Sequence, residues 1–320
     1  MPTIDMPLEK LHQYQGRNPR PADFDEFWET ALAEMRATDP KVELVPVDLP
    51  SKIVDFYDLY FTGTKGARIH AKLAKPKNIK GKAPAILKFH GLSGNAGSFR
   101  DLICYAAEGF IVASMDCRGQ GGFSEDMGQP NGTTHTTQFV RGLDGDPQDL
   151  HYRDVFLDTA MLARIIMDMD DVDETRVAAK GGSQGGALTI ACAALEPRIA
   201  LALPTYPYLS DYKRVWEMDL AKGAYEGLRY YFRHFDPRHE REEEIFTNLG
   251  YIDIQFLAPR IKAKVIMSTG LMDTTCPPST QFAAFNKMNT EKVSIIYPDF
   301  GHESLEGQSD LEMRYLSELL

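Results

Sequence analysis

Apolar positions along this chain recur with two periods, and the switches between them lay out a β/α rhythm. After Pro50, Ile53 to Phe61 and Arg68 to Leu73 carry strand-like runs. They are joined by Gly63-Thr64-Lys65-Gly66, a hairpin signal that opens a sheet at its antiparallel edge. From there Ala83 to Phe89 predicts a strand, Ser98 to Glu108 a helix, Phe110 to Met115 a strand and Leu150 to Met169 a long helix. A further strand runs from Arg176 into a glycine-rich turn, and Ile199 to Pro204, Val265 to Thr269 and Val293 to Tyr297 read as the last three. Strands alternating with helices imply a mostly parallel sheet with helices on both faces. The count is eight strands.

Two segments depart from the rhythm. Within residues 1–50, an N-terminal extension, Phe24, Phe27, Trp28 and Ala31 share one helical face, and Asp23 and Glu26 have capping-box spacing. That pattern predicts a helix docked on the core. Residues 210–257 lose the strand rhythm and become aromatic and charged, which reads as a helical insertion over a site. Its run from Tyr225 to Phe235 carries more apolar surface than a free lid should expose, and so predicts burial in a closed homo-oligomer. The Arg238 to Glu244 charge run reads as a solvated helix face. With neither internal repeat nor low-complexity linker, residues 1–320 are expected to form a single domain.

Charge narrows the partners. The balance of 35 basic against 46 acidic residues, net −11, repels phosphate backbones and anionic lipid surfaces, so neither nucleic acid nor membrane is expected. Met1 to Lys10 lacks a cationic start followed by an apolar core, and no run approaches a bilayer span, which points to the cytoplasm. Cys104, Cys117, Cys192 and Cys276 lie far apart without metal-type pairing and read as free thiols. No metal or organic cofactor is expected.

The candidate chemistry centres on Gly181-Gly182-Ser183-Gln184-Gly185-Gly186, between a short apolar strand and a small-residue helix. Gly-x-Ser-x-Gly in that context is a nucleophile elbow. The turn strains the serine backbone, and the glycines two positions away remove Cβ atoms where strand and helix nearly touch. Ser183 Oγ is thereby exposed, and the Gln184 N–H points where an oxyanion would form.

A nucleophilic serine needs a base, and the base an orienting acid, in the chain order Ser, Asp/Glu, His. Of the three histidines after Ser183, His234 and His239 sit in the charged insertion, whereas His302 lies in the loop after the final strand. His302 is therefore the candidate base. Asp273 follows the penultimate strand and is the candidate acid, with Asp299 also within sequence reach; a structural Asp273 capping the helix at Ser279 is the alternative. The loop after the Ile86 to Phe89 strand, His90-Gly91-Leu92-Ser93-Gly94, should supply the second oxyanion donor, the Leu92 N–H. His90 reads as a structural hydrogen-bonding residue, and Arg118 and Gln120 in Arg118-Gly119-Gln120 as scaffold that holds loops.

Together, His90-Gly91-Leu92, Arg118-Gly119-Gln120, Gly182-Ser183-Gln184-Gly185-Gly186, Asp273 with Pro277-Pro278, and Gly301-His302-Glu303 resemble the acetyl xylan esterase and cephalosporin C deacetylase family of α/β-hydrolases. The resemblance runs from the N-terminal helix to the last helix. It implies Ser183, Asp273 and His302 as triad and the Leu92 and Gln184 amides as oxyanion hole. It also implies a hexamer, a trimer of dimers with sites facing an internal cavity, and deacetylation of short xylooligosaccharides and cephalosporin-type esters. Many members carry Tyr where this chain has Leu92, so a side-chain contact from that position is lost. Tyr208, Pro207, Thr275 and Cys276 are the expected pocket walls. The competing readings are a short-chain carboxylesterase of other substrate class, a prolyl-oligopeptidase-like peptidase, which needs a propeller this chain is too short to hold, and a binding protein on a retired hydrolase fold, whose mark would be a missing triad member.

Overall fold

A computed structural model describes residues 4–129, 131 and 137–320, so residues 1–3 of the N-terminal stretch read above lie outside the described residues. One sheet has the order β1-β2-β3-β5-β4-β6-β7-β8-β9. The strands are β1 Glu43–Pro46, β2 Val54–Thr62, β3 Arg68–Pro76, β4 Ala83–Phe89, β5 Ile111–Met115, β6 Val172–Gly182, β7 Leu201–Thr205, β8 Lys264–Gly270 and β9 Lys292–Tyr297. Pairings among β4 to β9 are parallel, whereas β1 with β2, β2 with β3 and β3 with β5 are antiparallel. The sheet thus has nine strands where eight are expected. The additional one, β1, is four exposed residues ending in proline, with no buried face to produce an alternating pattern.

Central strands are buried on both faces because helices cover both. In β4, Ile86 points to the cluster built by Leu102 and Ala106 of the Arg100–Ala107 helix and Leu316 of the Gln308–Leu316 helix. Its neighbours Ala85 and Leu87 point the other way, to the cluster that includes the His151–Met167 and Gln184–Leu195 helices. The former of these is buried at nearly every position, since the Phe24–Ala37 helix covers its outer side; Trp28 stacks on Phe156 with ring centroids 6.1 Å apart.

The Phe24–Ala37 helix buries Phe24, Trp28, Ala31, Leu32 and Met35, and Trp28 Nε1–H donates to the Tyr251 carbonyl at 3.0 Å. The capping box does not form. Asp23 makes no cap hydrogen bond and instead accepts from the Tyr251 hydroxyl at 2.5 Å. The insertion carries helices Tyr212–Glu217, Glu226–Phe235, Glu242–Gly250 and Ile254–Leu257. Asp211 ties it to the N-terminal extension by accepting from the Arg17 and Asn18 N–H groups, each at 2.8 Å, and from the Tyr14 hydroxyl at 2.7 Å. Tyr225, Tyr231 and Phe232 are buried within the same chain, so the expectation that this run exposes a large apolar face does not hold. Arg238, His239 and Glu240 are exposed, as a solvated run should be. All four cysteines are free thiols, and only Cys104 is exposed.

Candidate active site

β6 ends at Gly182 and the Gln184–Leu195 helix begins at Gln184, leaving Ser183 alone at the turn with φ +57° and ψ −119°. A non-glycine residue at that φ is strained and persists only because its surroundings hold it. Here the Ser183 N–H donates to the Thr205 carbonyl at 3.0 Å, and the Ser183 carbonyl accepts from the Tyr208 N–H at 3.0 Å. The flanking glycines are required sterically. A Cβ on Gly181 would lie 2.5 Å from the Phe89 carbonyl oxygen, one on Gly185 2.1 Å from the same atom, and one on Gly186 2.7 Å from the Thr205 oxygen.

The loop after β9 brings His302 to this turn. His302 Nε2 lies 3.0 Å from Ser183 Oγ, and Nδ1 lies 2.8 Å from Asp273 Oδ2. Asp273 is fully buried just beyond β8, and its other oxygen accepts the Thr275 and Cys276 N–H groups at 2.8 Å each. With the carboxylate facing Nδ1, the imidazole places that N–H toward Asp273 and its Nε2 lone pair toward the serine hydroxyl. Asp299 is exposed, and His302 bonds Asp273 instead. The loops are held together by close backbone approach: the Met272 N–H donates to the Phe300 carbonyl at 2.9 Å, and a Cβ on Gly270 would lie 2.4 Å from that oxygen.

Asp273, Cys276 and His302 are also, among the described residues, the one group of His, Cys and carboxylate donors close enough to share an ion, with ligand atoms within 4.8 Å of one another. The carboxylate oxygens are already taken by two amides and the imidazole, and burial pushes the Cys276 thiol well above its ordinary pKa, which disfavours the thiolate a metal would need. This donor set therefore fits proton transfer better than metal binding.

Two loops complete the site. The backbone N–H groups of Leu92 and Gln184 have, among the described hydrogen bonds, no acceptor outside their own elements. His90 Nε2 accepts from the Cys117 N–H at 3.0 Å, which leaves Nδ1 to donate to the Gly91 carbonyl at 2.7 Å. Burial lowers the His90 pKa, in keeping with a neutral, structural imidazole. Arg118 is buried, donating to both carboxylate oxygens of Asp158 at 2.5 and 2.7 Å and to Thr64 Oγ1 at 3.1 Å. The hairpin glycine Gly63 leaves room for this pair, since a Cβ there would lie 2.5 Å from Asp158 Oδ1. Arg118→Met would strand the Asp158 carboxylate in the core, and a broken buried pair costs about 3–5 kcal/mol. Chemical unfolding should show a loss of that size, and a loss below about 1 kcal/mol would contradict the role given to Arg118.

The expected pocket walls lie at different depths. Tyr208, Pro207 and Cys276 are buried, and the Tyr208 hydroxyl donates to the Ala224 carbonyl. Cys276, although buried, has its thiol within hydrogen-bonding reach of Ser183, whereas the Tyr208 ring packs away into the core; of the four, Thr275 alone is partly exposed. The ring that does face the triad is Tyr206, half-buried, at φ +32° and with its centroid 4.7 Å from that of His302. Nothing local in the sequence marks it, because its position depends on a strained turn after β7. Asp158 and Tyr152 were also missed, although a carboxylate pair at Asp154 and Asp158 in an apolar helix signals a buried cation.

A mostly parallel sheet with a serine elbow at the end of a central strand defines the α/β-hydrolase fold. The acetyl xylan esterase (AXE1) family matches residues 1–319, and the chain belongs to this family of carboxylic ester hydrolases. It is similar to acetyl xylan esterase 1 from Thermoanaerobacterium sp. JW/SL YS485, with 55% identity, a TM-score of 0.97 and 99% of each chain covered. The acetyl xylan esterase from Paenibacillus sp. R4 shares 36% identity at a TM-score of 0.93, covering 98% of this chain and 100% of that one. An acetyl esterase of Xylanibacter ruminicola is 29% identical over 313 residues, 92% of this chain; the alignment spans 66% of that relative's length.

Proposed function

We propose that this chain is a serine esterase that removes acetyl groups from small acetylated carbohydrates such as xylooligosaccharides, and from cephalosporin C-like esters, through an acetyl-enzyme. The observation that carries this reading is the unbroken hydrogen-bonded line from Asp273 through His302 to Ser183 Oγ. Ser183 Oγ attacks the ester carbonyl while His302 Nε2 takes its proton, and the Leu92 and Gln184 N–H groups receive the negative charge on the carbonyl oxygen. Collapse breaks the bond to the alcohol, which leaves with the proton held by His302. Water then enters, gives a proton to His302 and attacks the acetyl carbon; the second collapse releases acetate and returns the proton to Ser183.

The Tyr206 ring, its centroid 4.7 Å from that of His302, together with the family resemblance, supports a small acyl pocket. Each methylene that cannot be housed loses about 1–3 kcal/mol of discrimination. Rates on p-nitrophenyl esters should therefore fall steeply beyond propionate. Equal or faster turnover of butyrate or octanoate would favour the carboxylesterase of other substrate class.

A homo-oligomer, specifically a hexamer, belongs to the same proposal. Besides the family resemblance, its support is the exposed apolar edge at Leu44, Val45, Leu49 and Ile53 around the unpaired side of β1, together with exposed Phe123 and Met127. A monomeric mass by light scattering at micromolar concentration would count against it. Among the described residues no helix is long and apolar enough to cross a membrane, and with the acidic balance this supports a cytoplasmic protein without nucleic-acid partners.

A further inference from the structure

The two oxyanion donors stand on separate elements, one in the loop after β4 and the other at the start of the Gln184–Leu195 helix, so something must set the distance between them. The side chains of Gln120 and Gln184 meet there as a reciprocal carboxamide pair. Gln120 Nε2 donates to Gln184 Oε1 at 2.8 Å, and Gln184 Nε2 donates to Gln120 Oε1 at 3.1 Å. The pair reaches the Leu92 loop on both sides of Leu92: Gln184 Nε2 also donates to the His90 carbonyl at 3.3 Å, and Gln120 Oε1 also accepts the Ser93 N–H at 2.8 Å.

A carboxamide pair is symmetric enough to flip, and a flip would turn an NH2 against the Ser93 N–H. Tyr152 breaks the symmetry. Fully buried in the His151–Met167 helix, it donates its hydroxyl to Gln184 Oε1 at 2.6 Å, so that oxygen has two donors and its nitrogen is left for the His90 carbonyl. Gly121 lets the Gln120 loop come this close, since a Cβ there would lie 2.6 Å from the Gly94 carbonyl oxygen.

We infer that Tyr152, Gln120 and the Gln184 side chain form a clamp that positions the oxyanion hole: Tyr152 fixes the sense of the carboxamide pair, and the pair fixes the Leu92 N–H against the Gln184 N–H. None of the three side chains touches the reacting atoms; each acts through backbone donors. The inference rests on the oxyanion-hole reading proposed above.

A clamp of this kind matters most when negative charge sits on oxygen. Sulfur accepts hydrogen bonds weakly, so a thionoester draws less from the hole. The test compares Tyr152→Phe and Gln120→Met with the unmodified protein, using kcat/KM on p-nitrophenyl acetate and on the matching thionoester. Removing an oxyanion donor outright costs about 10²–10³ in kcat, and a loosened hole should lose about tenfold on the oxygen ester. The thionoester rate should move far less, so the oxygen-over-sulfur preference drops in both variants while their unfolding midpoints stay close to the original. Because Gln120 is only partly buried, Gln120→Met keeps the test open if Tyr152→Phe fails to fold. Parallel losses on both esters, or no loss on either, would overturn the clamp. Ser183→Ala run alongside separates the two levels: retained activity sinks the triad reading and the clamp with it, whereas an inactive Ser183→Ala with an unmoved oxygen-over-sulfur preference sinks the clamp alone.

Discussion

Asp273→Asn is expected to lower kcat on p-nitrophenyl acetate by roughly 10⁴, the loss that the same exchange causes in a serine-protease triad, with Asp299→Asn costing tenfold or less. The difference follows from what each carboxylate touches. Asp273 Oδ1 is locked by the Thr275 and Cys276 N–H groups, so an asparagine keeps its own oxygen there and turns its NH2 toward His302. That NH2 can only donate, which forces the imidazole to accept at Nδ1 and carry its proton on Nε2, facing the serine. The neutral base is then in the wrong tautomer, with no lone pair for the Ser183 proton. Asp299 is exposed and offers His302 no bond to lose. Both variants should keep the oligomeric mass of the parent. If Asp299→Asn proves the crippled one while Asp273→Asn keeps most activity, Asp273 is not the orienting acid.

Gly185→Ala should abolish folding or remove more than about 4 kcal/mol of stability, in the range reserved for core-breaking changes. Its Cβ would sit 2.1 Å from the Phe89 carbonyl oxygen and 3.2 Å from that of His90, and both atoms belong to backbone at the end of a central strand. Neither can move without displacing the loop that carries Leu92. Gly91→Ala is the matched control one loop away: its nearest neighbour would be the Gly182 oxygen at an ordinary 3.9 Å, and its φ lies outside the left-handed region. Urea unfolding of the two should differ by several kcal/mol, the control staying within about 1 kcal/mol of the parent. Comparable midpoints would mean that strand and helix are not in contact at the elbow as described.

How much of this was legible in the sequence depended on the range of the interaction. The elbow could be read because its constraint is local: five residues must make one turn, and only glycine fits where Gly181 and Gly185 meet the Phe89 carbonyl. His302, the candidate base, could be read by elimination along the chain. Asp273 could be read from its place after the penultimate strand even with Asp299 within sequence reach, and the packing of the Phe300 loop onto the end of β8 brings His302 to the former. β1 left no signal, since an exposed four-residue edge strand has no buried face. The capping box failed for the opposite reason: the local pattern was present, but Tyr251, more than two hundred residues away, takes the Asp23 carboxylate. The burial of Tyr208 could not be read because side-chain direction after β7 is set by the positive φ of Tyr206 and Leu209, which turns Tyr206 outward and Tyr208 into the core.

Labelling with an alkyl p-nitrophenyl phosphonate, followed by peptide mapping, asks whether Ser183 is the nucleophile activated through His302. The expected result is stoichiometric release of p-nitrophenol, a phosphonyl group on the peptide holding Ser183, loss of esterase activity in proportion to labelling, and no labelling of Ser183→Ala. A label on another residue with equal loss of activity, or full acetyl esterase activity in Ser183→Ala, would contradict it.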